Sequence, residues 1–242
     1  MAVIIDDLGD RLLLDRRAVD LPVPLSCAIL PHTPHARRVA SDCAENGKEV
    51  MLHLPLQAKE NNQLLGPGRL ELDMDEATFR ETFRRSLASV PGVRGVNNHM
   101  GSLLTRHPGA MAWLMEELRE AGLFFIDSRT TPHSVAYDVA REHAVPAGRR
   151  DIFLDRSRDP AEIEAALDRA IRIAHQRGEV VVIGHPYPET LEVLEARLPW
   201  LETESGVELI NASALLEGGD DPVLSEGASD EQASAGATGG RL

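Results

Sequence analysis

Near its start the chain reads Ala2-Val3-Ile4-Ile5-Asp6-Asp7, in which four apolar residues are followed at once by two carboxylates. An apolar run without polar alternation is typical of a β-strand that is covered on both faces. Short apolar runs recur along the chain, at residues 25–30, 50–52, 92–96, 123–126, 152–154, 180–183 and 207–210. Segments with a helical spacing of apolar residues lie between these runs. This alternation favours a parallel sheet whose strands are joined by helical crossovers.

Three of the intervening helices carry boundary signals. Asp159-Pro160-Ala161-Glu162 offers an N-cap, a proline at the first helical position and an early carboxylate, and Gly178 ends that helix. Asp73 together with Glu76 predicts the start of a second helix, and Pro108 predicts the start of a third.

We predict an α/β fold over residues 1–216, a distorted or incomplete (β/α) barrel of seven to eight mainly parallel strands. The chain has neither a GxGxxG segment after a strand nor a GxxxxGK(S/T) loop, which argues against an open nucleotide-binding sheet. Residues 217–242 are rich in Gly, Ala, Ser and Asp and poor in large apolar residues. They have little to bury, so we predict a disordered C-terminal tail.

The composition excludes some classes of function. Lys and Arg number 25 against 39 Asp and Glu, which gives a net charge of −14. This acidity excludes a nucleic-acid binder that works by bulk charge and argues against docking on anionic membranes. No run approaches the ~18–20 apolar residues of a membrane-spanning segment, and the chain as given has no signal-peptide pattern. The oligomeric state is left open.

Polar residues follow the strands at points where their side chains would share one rim. In (β/α) barrels the carboxyl ends of the strands converge on the face that carries the chemistry. Asp6-Asp7 alone would suit a helix cap, and His53 alone a hydrogen-bonded structural role. The full set of strand-end residues is Asp6-Asp7, His53, Asn97-Asn98-His99, Asp127-Ser128-Arg129, Asp155 and His185. The presence of such polar residues at six strand ends predicts a functional site.

The donor types in this set suit a divalent cation. Carboxylates and imidazoles with little sulfur favour zinc, with nickel, cobalt or manganese as alternatives. One carboxylate and two histidines leave a coordination position for water, and a second carboxylate can accept a proton from that water. The chain contains neither HExxH nor GxSxG, so neither a helix-borne peptidase site nor a serine hydrolase is indicated.

Several segments, in order along the chain, resemble those of the divergent polysaccharide deacetylases, a branch of the carbohydrate-esterase deacetylases. The matching segments are Ile4–Gly9, Leu52–Pro55, Asn97–Ser102, Phe125–Thr130, Phe153–Asp155 and Ile183–Pro186. The resemblance extends to about Leu216. It implies a distorted (β/α) barrel and the metal-dependent removal of acetyl groups from N-acetylated sugars. It also implies a periplasmic or exported location, which the N-terminus as given does not by itself predict.

The resemblance implies roles for four residues: Asp6 as general base, Asp7 and His53 as metal ligands, and His185 as general acid. The family motif has a second histidine four residues after the first, and that position is Gln57 here. Glutamine is a poor zinc ligand, so the second imidazole must come from elsewhere. We expect His99, at the neighbouring strand end, to supply it.

The lead hypothesis is a metal-dependent carbohydrate deacetylase. Asp127 is expected to orient His185 or a ligand imidazole as a hydrogen-bond acceptor, or else to hold Arg129 in a structural ion pair. The predicted contacts with the sugar or the oxyanion are Asn97, Asn98, Arg129 and Tyr187.

Two alternatives stay open. The first is a non-catalytic glycan or cell-wall binding module that keeps the barrel and its rim, and Gln57 is its main support. The second is hydrolysis of another substrate, such as a phosphoester. It is less favoured because basic residues are sparse in the strand-end motifs, Arg129 being the main one.

Overall fold

The computed structural model describes residues 1–217, and residues 218–242, where most of the predicted tail falls, lie outside the described part. The strands are β1 (Ala2–Leu8), β2 (Ser26–Ile29), β3 (Glu49–Leu56), β4 (Gly95–Met100), β5 (Phe124–Asp127), β6 (Ala147–Arg149), β7 (Ile152–Phe153) and β8 (Val181–Gly184). They form one sheet in the order β6-β5-β4-β3-β2-β1-β8-β7, and every pairing is parallel.

The two edge strands of the sheet follow each other along the chain, with only Arg150 and Asp151 between them. Arg150 N donates to Asp127 O at 2.9 Å, on the side of β5, and Asp151 N donates to Val181 O at 2.9 Å, on the side of β8. The stretch from β6 to β7 therefore passes from one end of the sheet to the other. The sheet curls into an incomplete (β/α) barrel, which confirms the predicted fold class.

Helices cover the sheet between most strands. They are α1 (Leu12–Val19), α2 (Ala36–Glu45), α3 (Glu76–Ser89), α4 (Pro108–Ala121), α5 (Ala136–Glu142), α6 (Pro160–Arg177), α7 (Pro188–Arg197), α8 (Leu201–Ser205) and α9 (Ala212–Glu217). Within residues 1–217, none of them combines the length and the apolar character needed to cross a membrane.

The predicted helix boundaries are largely confirmed. Asp159 Oδ1 accepts a hydrogen bond from Ala161 N at 2.9 Å at the start of α6, and Gly178 follows its end with a φ of 81°. At α3 the cap is Asp75, whose Oδ1 accepts from Thr78 N at 2.8 Å. The helix begins at Glu76 as the predicted start indicated, but Asp73 lies outside it, because a capping side chain stands directly before the first helical residue.

Two strands differ from the sequence-based expectation. The apolar run at 207–210 forms only an isolated bridge between Ile210 and Ala2, so it is not a strand of the sheet. The eighth strand of the sheet is instead β6, and its sequence, Ala147-Gly148-Arg149, has no apolar run that would predict a strand. Pairing with β5 stabilises this segment as a strand even though its own sequence favours none.

The core explains why the strands are apolar throughout. Ile4, Ile5, Leu52 and Leu54 of β1 and β3 are fully buried, because helices cover one face of the sheet and the barrel interior covers the other. Burying each large apolar side chain stabilises the fold by about 1.5–3 kcal/mol. This rigid interior holds the carboxyl ends of the strands in fixed relative positions.

Candidate metal centre

A bulge at the end of β1 brings two consecutive carboxylates to one place. In a regular strand the side chains of Asp6 and Asp7 would point to opposite faces. The pairing register of β1 shifts between Ile5 and Leu8, and Asp7 adopts a left-handed conformation with φ 57°. Such a conformation costs on the order of 1–3 kcal/mol and persists only where the surroundings impose it. As a result, both carboxylates lie beside His53, with Oδ1 of Asp6 3.6 Å from Nδ1 and Oδ1 of Asp7 3.3 Å from Nε2.

The three predicted metal ligands come together at the carboxyl ends of β1, β3 and β4. Asp7 Oδ1 lies 3.0 Å from His99 Nδ1, and His53 Nε2 lies 3.2 Å from the same nitrogen. Asp7 Oδ1 is buried, and none of its contacts has hydrogen-bond geometry. A buried carboxylate oxygen in that state is costly unless a cation receives it, so the donor set fits a metal ion.

The charge state of Asp7 also suits a ligand. Burial alone would raise the pKa of Asp7, but the adjacent imidazoles of His53 and His99 hold it well below its usual range. The carboxyl is therefore ionised over the whole physiological pH range, as metal coordination requires.

Asn97 fixes two side chains of the site at once. Its Oδ1 accepts the Nδ1–H of His53 at 2.8 Å, and its Nδ2 donates to Asp6 Oδ1 at 2.7 Å. Because the proton of His53 is on Nδ1, its Nε2 presents a lone pair on the side of Asp7 and His99. Asn97 is completely buried. It therefore positions Asp6 and His53, and its side chain is not accessible for the expected contact with a sugar.

Asp6 has the environment of a proton acceptor. Its side chain is buried, and burial raises its pKa, although the charges of His53 and His185 and the hydrogen bond from Asn97 act in the opposite direction. A carboxylate with a raised pKa is a stronger base than an exposed one.

His185, directly after β8, is held by the carboxylate of Asp155, which lies just beyond the end of β7. Asp155 Oδ2 accepts from the backbone N–H of His185 at 2.7 Å, and its Oδ1 lies 3.0 Å from Nδ1. The other ring nitrogen, Nε2, lies 3.8 Å from Asp7 Oδ2. Burial lowers the pKa of His185, but Asp155 and the charges of Asp7 and Asp6 outweigh it and raise the pKa to about 9. The ring is therefore protonated near neutral pH.

The residue that orients His185 is Asp155 and not Asp127 as expected. Asp127 Oδ2 accepts from Ser134 Oγ at 2.7 Å, and its Oδ1 accepts from the backbone N–H of Arg129 at 2.8 Å. These bonds stabilise the loop after β5, and among the described residues none of the hydrogen bonds of Asp127 goes to an imidazole. The expected contact with His185 was wrong, because β5 is not a neighbour of β8 in the sheet, whereas β7 is. The alternative partner, Arg129, does contact Asp127, but through its backbone N–H.

Asn98 also has a different setting from the one expected. Its Nδ2 donates to Met100 O at 2.7 Å, and its Oδ1 accepts from Ser128 N at 2.9 Å. The side chain is 1% exposed, so it ties the end of β4 to the loop after β5 and does not face a substrate.

Gln57, at the position of the missing motif histidine, serves the adjacent loop. Its Oε1 accepts from Leu72 N at 2.8 Å, and its backbone N–H donates to Leu70 O at 2.9 Å. The second imidazole at the site is that of His99, the residue that the sequence analysis selected.

The remaining predicted contacts, Arg129 and Tyr187, lie on the loops of the same rim. The Arg129 guanidinium donates to the carbonyls of Ser134 at 3.3 Å and Pro132 at 3.4 Å. The Tyr187 ring stacks on His185, with 5.3 Å between centroids and an interplanar angle of 27°. Their contact with a sugar stays a prediction.

Fold and site together define a class: an incomplete (β/α) barrel whose rim carries an Asp/His/His donor set flanked by a carboxylate and an imidazole. The family model described as "Divergent polysaccharide deacetylase" matches residues 3–216. The chain belongs to the divergent polysaccharide deacetylase family, as its motifs indicated.

Relatives agree with this assignment. The chain is 35% identical to the uncharacterized protein YibQ of Escherichia coli (strain K12) over 216 residues, which cover 89% of this chain and 67% of that protein. It is 37% identical to an uncharacterized protein of Haemophilus influenzae, covering 82% of this chain and 70% of the relative. The crystal structure of the uncharacterized protein ATU2773 from Agrobacterium tumefaciens C58 superposes with a TM-score of 0.81 at 23% identity. The match covers 88% of this chain and 87% of that one, and it supports the fold.

Proposed function

We propose that this chain is a metal-dependent hydrolase that removes acetyl groups from an N-acetylated carbohydrate. The observation that carries the proposal is the close triangle formed by Asp7 Oδ1, His53 Nε2 and His99 Nδ1, with sides of 3.0, 3.2 and 3.3 Å. Family membership supports the substrate class.

We propose zinc as the cation for this triangle, because one carboxylate oxygen and two imidazole nitrogens are donors that zinc prefers. A tetrahedral zinc ion with ligands at ~2.0–2.1 Å separates neighbouring ligand atoms by roughly 3.3 Å. The three distances between the donor atoms, 3.0–3.3 Å, are close to that value. Asp7, His53 and His99 would hold the ion.

A bound divalent cation supplies Lewis acidity, which polarises an acetyl carbonyl and lowers the pKa of a water molecule. Asp6 then accepts the proton of the attacking water, and Asn97 Nδ2, 2.7 Å from Asp6 Oδ1, holds this carboxylate in place. Since Asp6 is next to Asp7 in the chain, base and ligand share one rigid strand end.

His185 donates the proton that the leaving amine requires. Asp155 fixes the ring through Nδ1, so Nε2 is the nitrogen that faces the site, 3.8 Å from Asp7 Oδ2. Asp6 and His185 thus approach the donor triangle from two different strands. Amide hydrolysis needs a base that accepts the proton of water and an acid that protonates the leaving amine, and Asp6 and His185 would supply them.

The test combines metal content with acetate release. Zinc-loaded protein is incubated with N-acetylated oligosaccharides, and acetate is measured enzymatically. Asp6→Asn is expected to retain zinc and fold while losing about 10²-fold or more in rate, because the proton acceptor is gone. The exposed Glu164→Gln on α6 serves as the control.

Two outcomes would count against the proposal. Full activity in an intact, zinc-loaded Asp6→Asn protein would refute the assignment of the base. Saturable glycan binding without acetate release, unaffected by chelator, would favour the non-catalytic binding module instead.

A further inference from the structure

Two aromatic rings flank His185, and each has an arginine over it. The Phe153 ring lies 5.2 Å from the His185 ring and the Tyr187 ring 5.3 Å from it. The guanidinium carbon of Arg150 is 5.2 Å from the Phe153 centroid, and that of Arg158 is 4.0 Å from the Tyr187 centroid. Arg11 adds a second guanidinium over Tyr187, at 5.9 Å.

These arginines come from three separate loops around the same rim. Arg11 lies between β1 and α1, Arg150 between β6 and β7, and Arg158 between β7 and α6. Arg150 is anchored, because its Nε donates to Ser128 O at 2.7 Å and its Nη2 to Arg129 O at 2.9 Å. Arg158 and Arg11 are exposed.

In the described part of the chain, these three arginines have no carboxylate partner at ion-pair distance, although Asp15 acts on Arg11 and Asp127 and Asp6 act on Arg150 from further away. Within residues 1–217, neither Arg11, Arg150 nor Arg158 forms an ion pair with an Asp or Glu at 4.0 Å or less, whereas other surface arginines such as Arg17 and Arg80 do. The chain as a whole carries a charge of −14. Arginines without a close carboxylate partner beside the candidate site therefore differ from Arg17 and Arg80, and their guanidinium groups can attract an anion.

The ring contacts leave the arginines able to bind. A guanidinium over an aromatic face keeps its N–H donors for hydrogen bonds in its own plane, where they match carboxylate and phosphate oxygens bidentately. The aromatic rings also restrict the motion of the side chains above them, which lowers the entropy cost of binding.

We infer that the saccharide bound at this rim carries an oxyanion, which Arg158 and Arg11, the two arginines over the Tyr187 ring, bind beside His185. The inference deepens the proposed function, on which it rests for the acetylated sugar, but the binding of the oxyanion itself needs no turnover. A carboxylate and a phosphate group share the required chemistry.

The experiment compares three sugars with the same acetamido ring. N-acetylglucosamine is neutral, N-acetylmuramic acid adds a carboxylate, and N-acetylglucosamine 6-phosphate adds a phosphate. Binding to the zinc-loaded protein is followed by NMR titration. We expect at least one anionic sugar to bind about 10-fold more tightly than the neutral one, with most of the advantage lost at ~1 M salt, where the Debye length is ~3 Å. The anionic sugar that binds more tightly than the neutral one shows whether the site prefers a carboxylate or a phosphate.

Variants separate the arginines from the metal ion as the anion receptor. Arg158→Gln is expected to remove most of the anionic preference, and Arg172→Gln on the exposed face of α6 is expected to leave it intact. Equal binding of all three sugars would overturn the inference. So would an anionic preference that survives in Arg158→Gln, because the anion would then be bound elsewhere.

Acetate release from the same three sugars keeps the two proposals apart. An arginine-dependent preference without acetate release supports the oxyanion site and refutes the deacetylase. Acetate release without any preference for the anionic sugars supports the deacetylase and refutes the oxyanion site.

Discussion

Asp155 binds His185 through both oxygens of one carboxylate, at 2.7 Å to the backbone nitrogen and at 3.0 Å to Nδ1. The same Oδ2 also accepts from Thr190 Oγ1 at 2.8 Å. Asp155 is buried, so its charge is poorly screened by solvent and acts strongly on the imidazole. This carboxylate fixes the position of His185 and, together with Asp7 and Asp6, favours its protonated form.

The first prediction concerns Asp155→Asn. The carboxylate helps to raise the pKa of His185 to about 9, so its removal lowers that pKa toward the unperturbed value. If His185 must be protonated to act, the alkaline limb of the kcat/KM profile moves to lower pH. Acetate release across the pH range measures this, with Asp168→Asn on α6 as control. An unshifted alkaline limb contradicts the assigned acid.

The second prediction concerns the stability of the metal-free protein. His185 has a folded pKa of about 9 against the usual 6.5, so between these values the folded state holds the proton more tightly. Its stabilising contribution is complete below pH 6.5 and is lost as the pH rises through 9. The pKa difference corresponds to about 3 kcal/mol. Urea unfolding in chelator is expected to show this loss in wild type and a smaller one in His185→Gln. Parallel pH dependences in the two proteins would contradict the raised pKa.

The third prediction concerns metal binding. Zinc at about 100 times its Kd stabilises the folded state by about 2.7 kcal/mol, which raises Tm by roughly 5–10 °C for a domain of this size. We expect this shift in wild type and its loss in His99→Gln, because one of the three donors is removed. His175→Gln on α6 is the matched control. A full zinc-dependent shift in His99→Gln would exclude His99 as a ligand.

The sequence predicts the donor set well because a parallel barrel brings strand ends together whatever the exact pairing. Asp7, His53 and His99 lie in the carboxyl-terminal halves of β1, β3 and β4, and their donor atoms come together. The partner of His185 could not be predicted in this way, because it depends on which strand lies next to β8. That strand is β7, only two residues long, and it carries Asp155 just beyond its end.

The bulge in β1 and the positions of the arginines at the rim also could not be predicted from the sequence pattern. Alternation along a strand would separate Asp6 from Asp7, and only the register shift and the φ of 57° at Asp7 bring both to the site. Arg150 and Arg158 flank β7, outside the motifs, so counting the basic residues of the strand-end motifs missed them. Local backbone distortions and loop positions depend on tertiary packing, which residue spacing does not encode.

The last prediction concerns Asn97, which bonds the base and a ligand at the same time. In Asn97→Ala, Asp6 loses a donor that lowers its pKa, so the pKa of Asp6 rises and the acid limb of the rate profile moves to higher pH. His53 loses the acceptor that keeps its proton on Nδ1, so zinc affinity is expected to fall about 10- to 100-fold. Asn98→Ala is the matched control, since Asn98 bonds Met100 and Ser128 and not Asp6. Competition with a zinc chelator measures the zinc affinity, and acetate release across the pH range measures the position of the acid limb. If the two variants behaved alike in both measurements, Asn97 would have only a structural role, because a general loss of packing would then account for both.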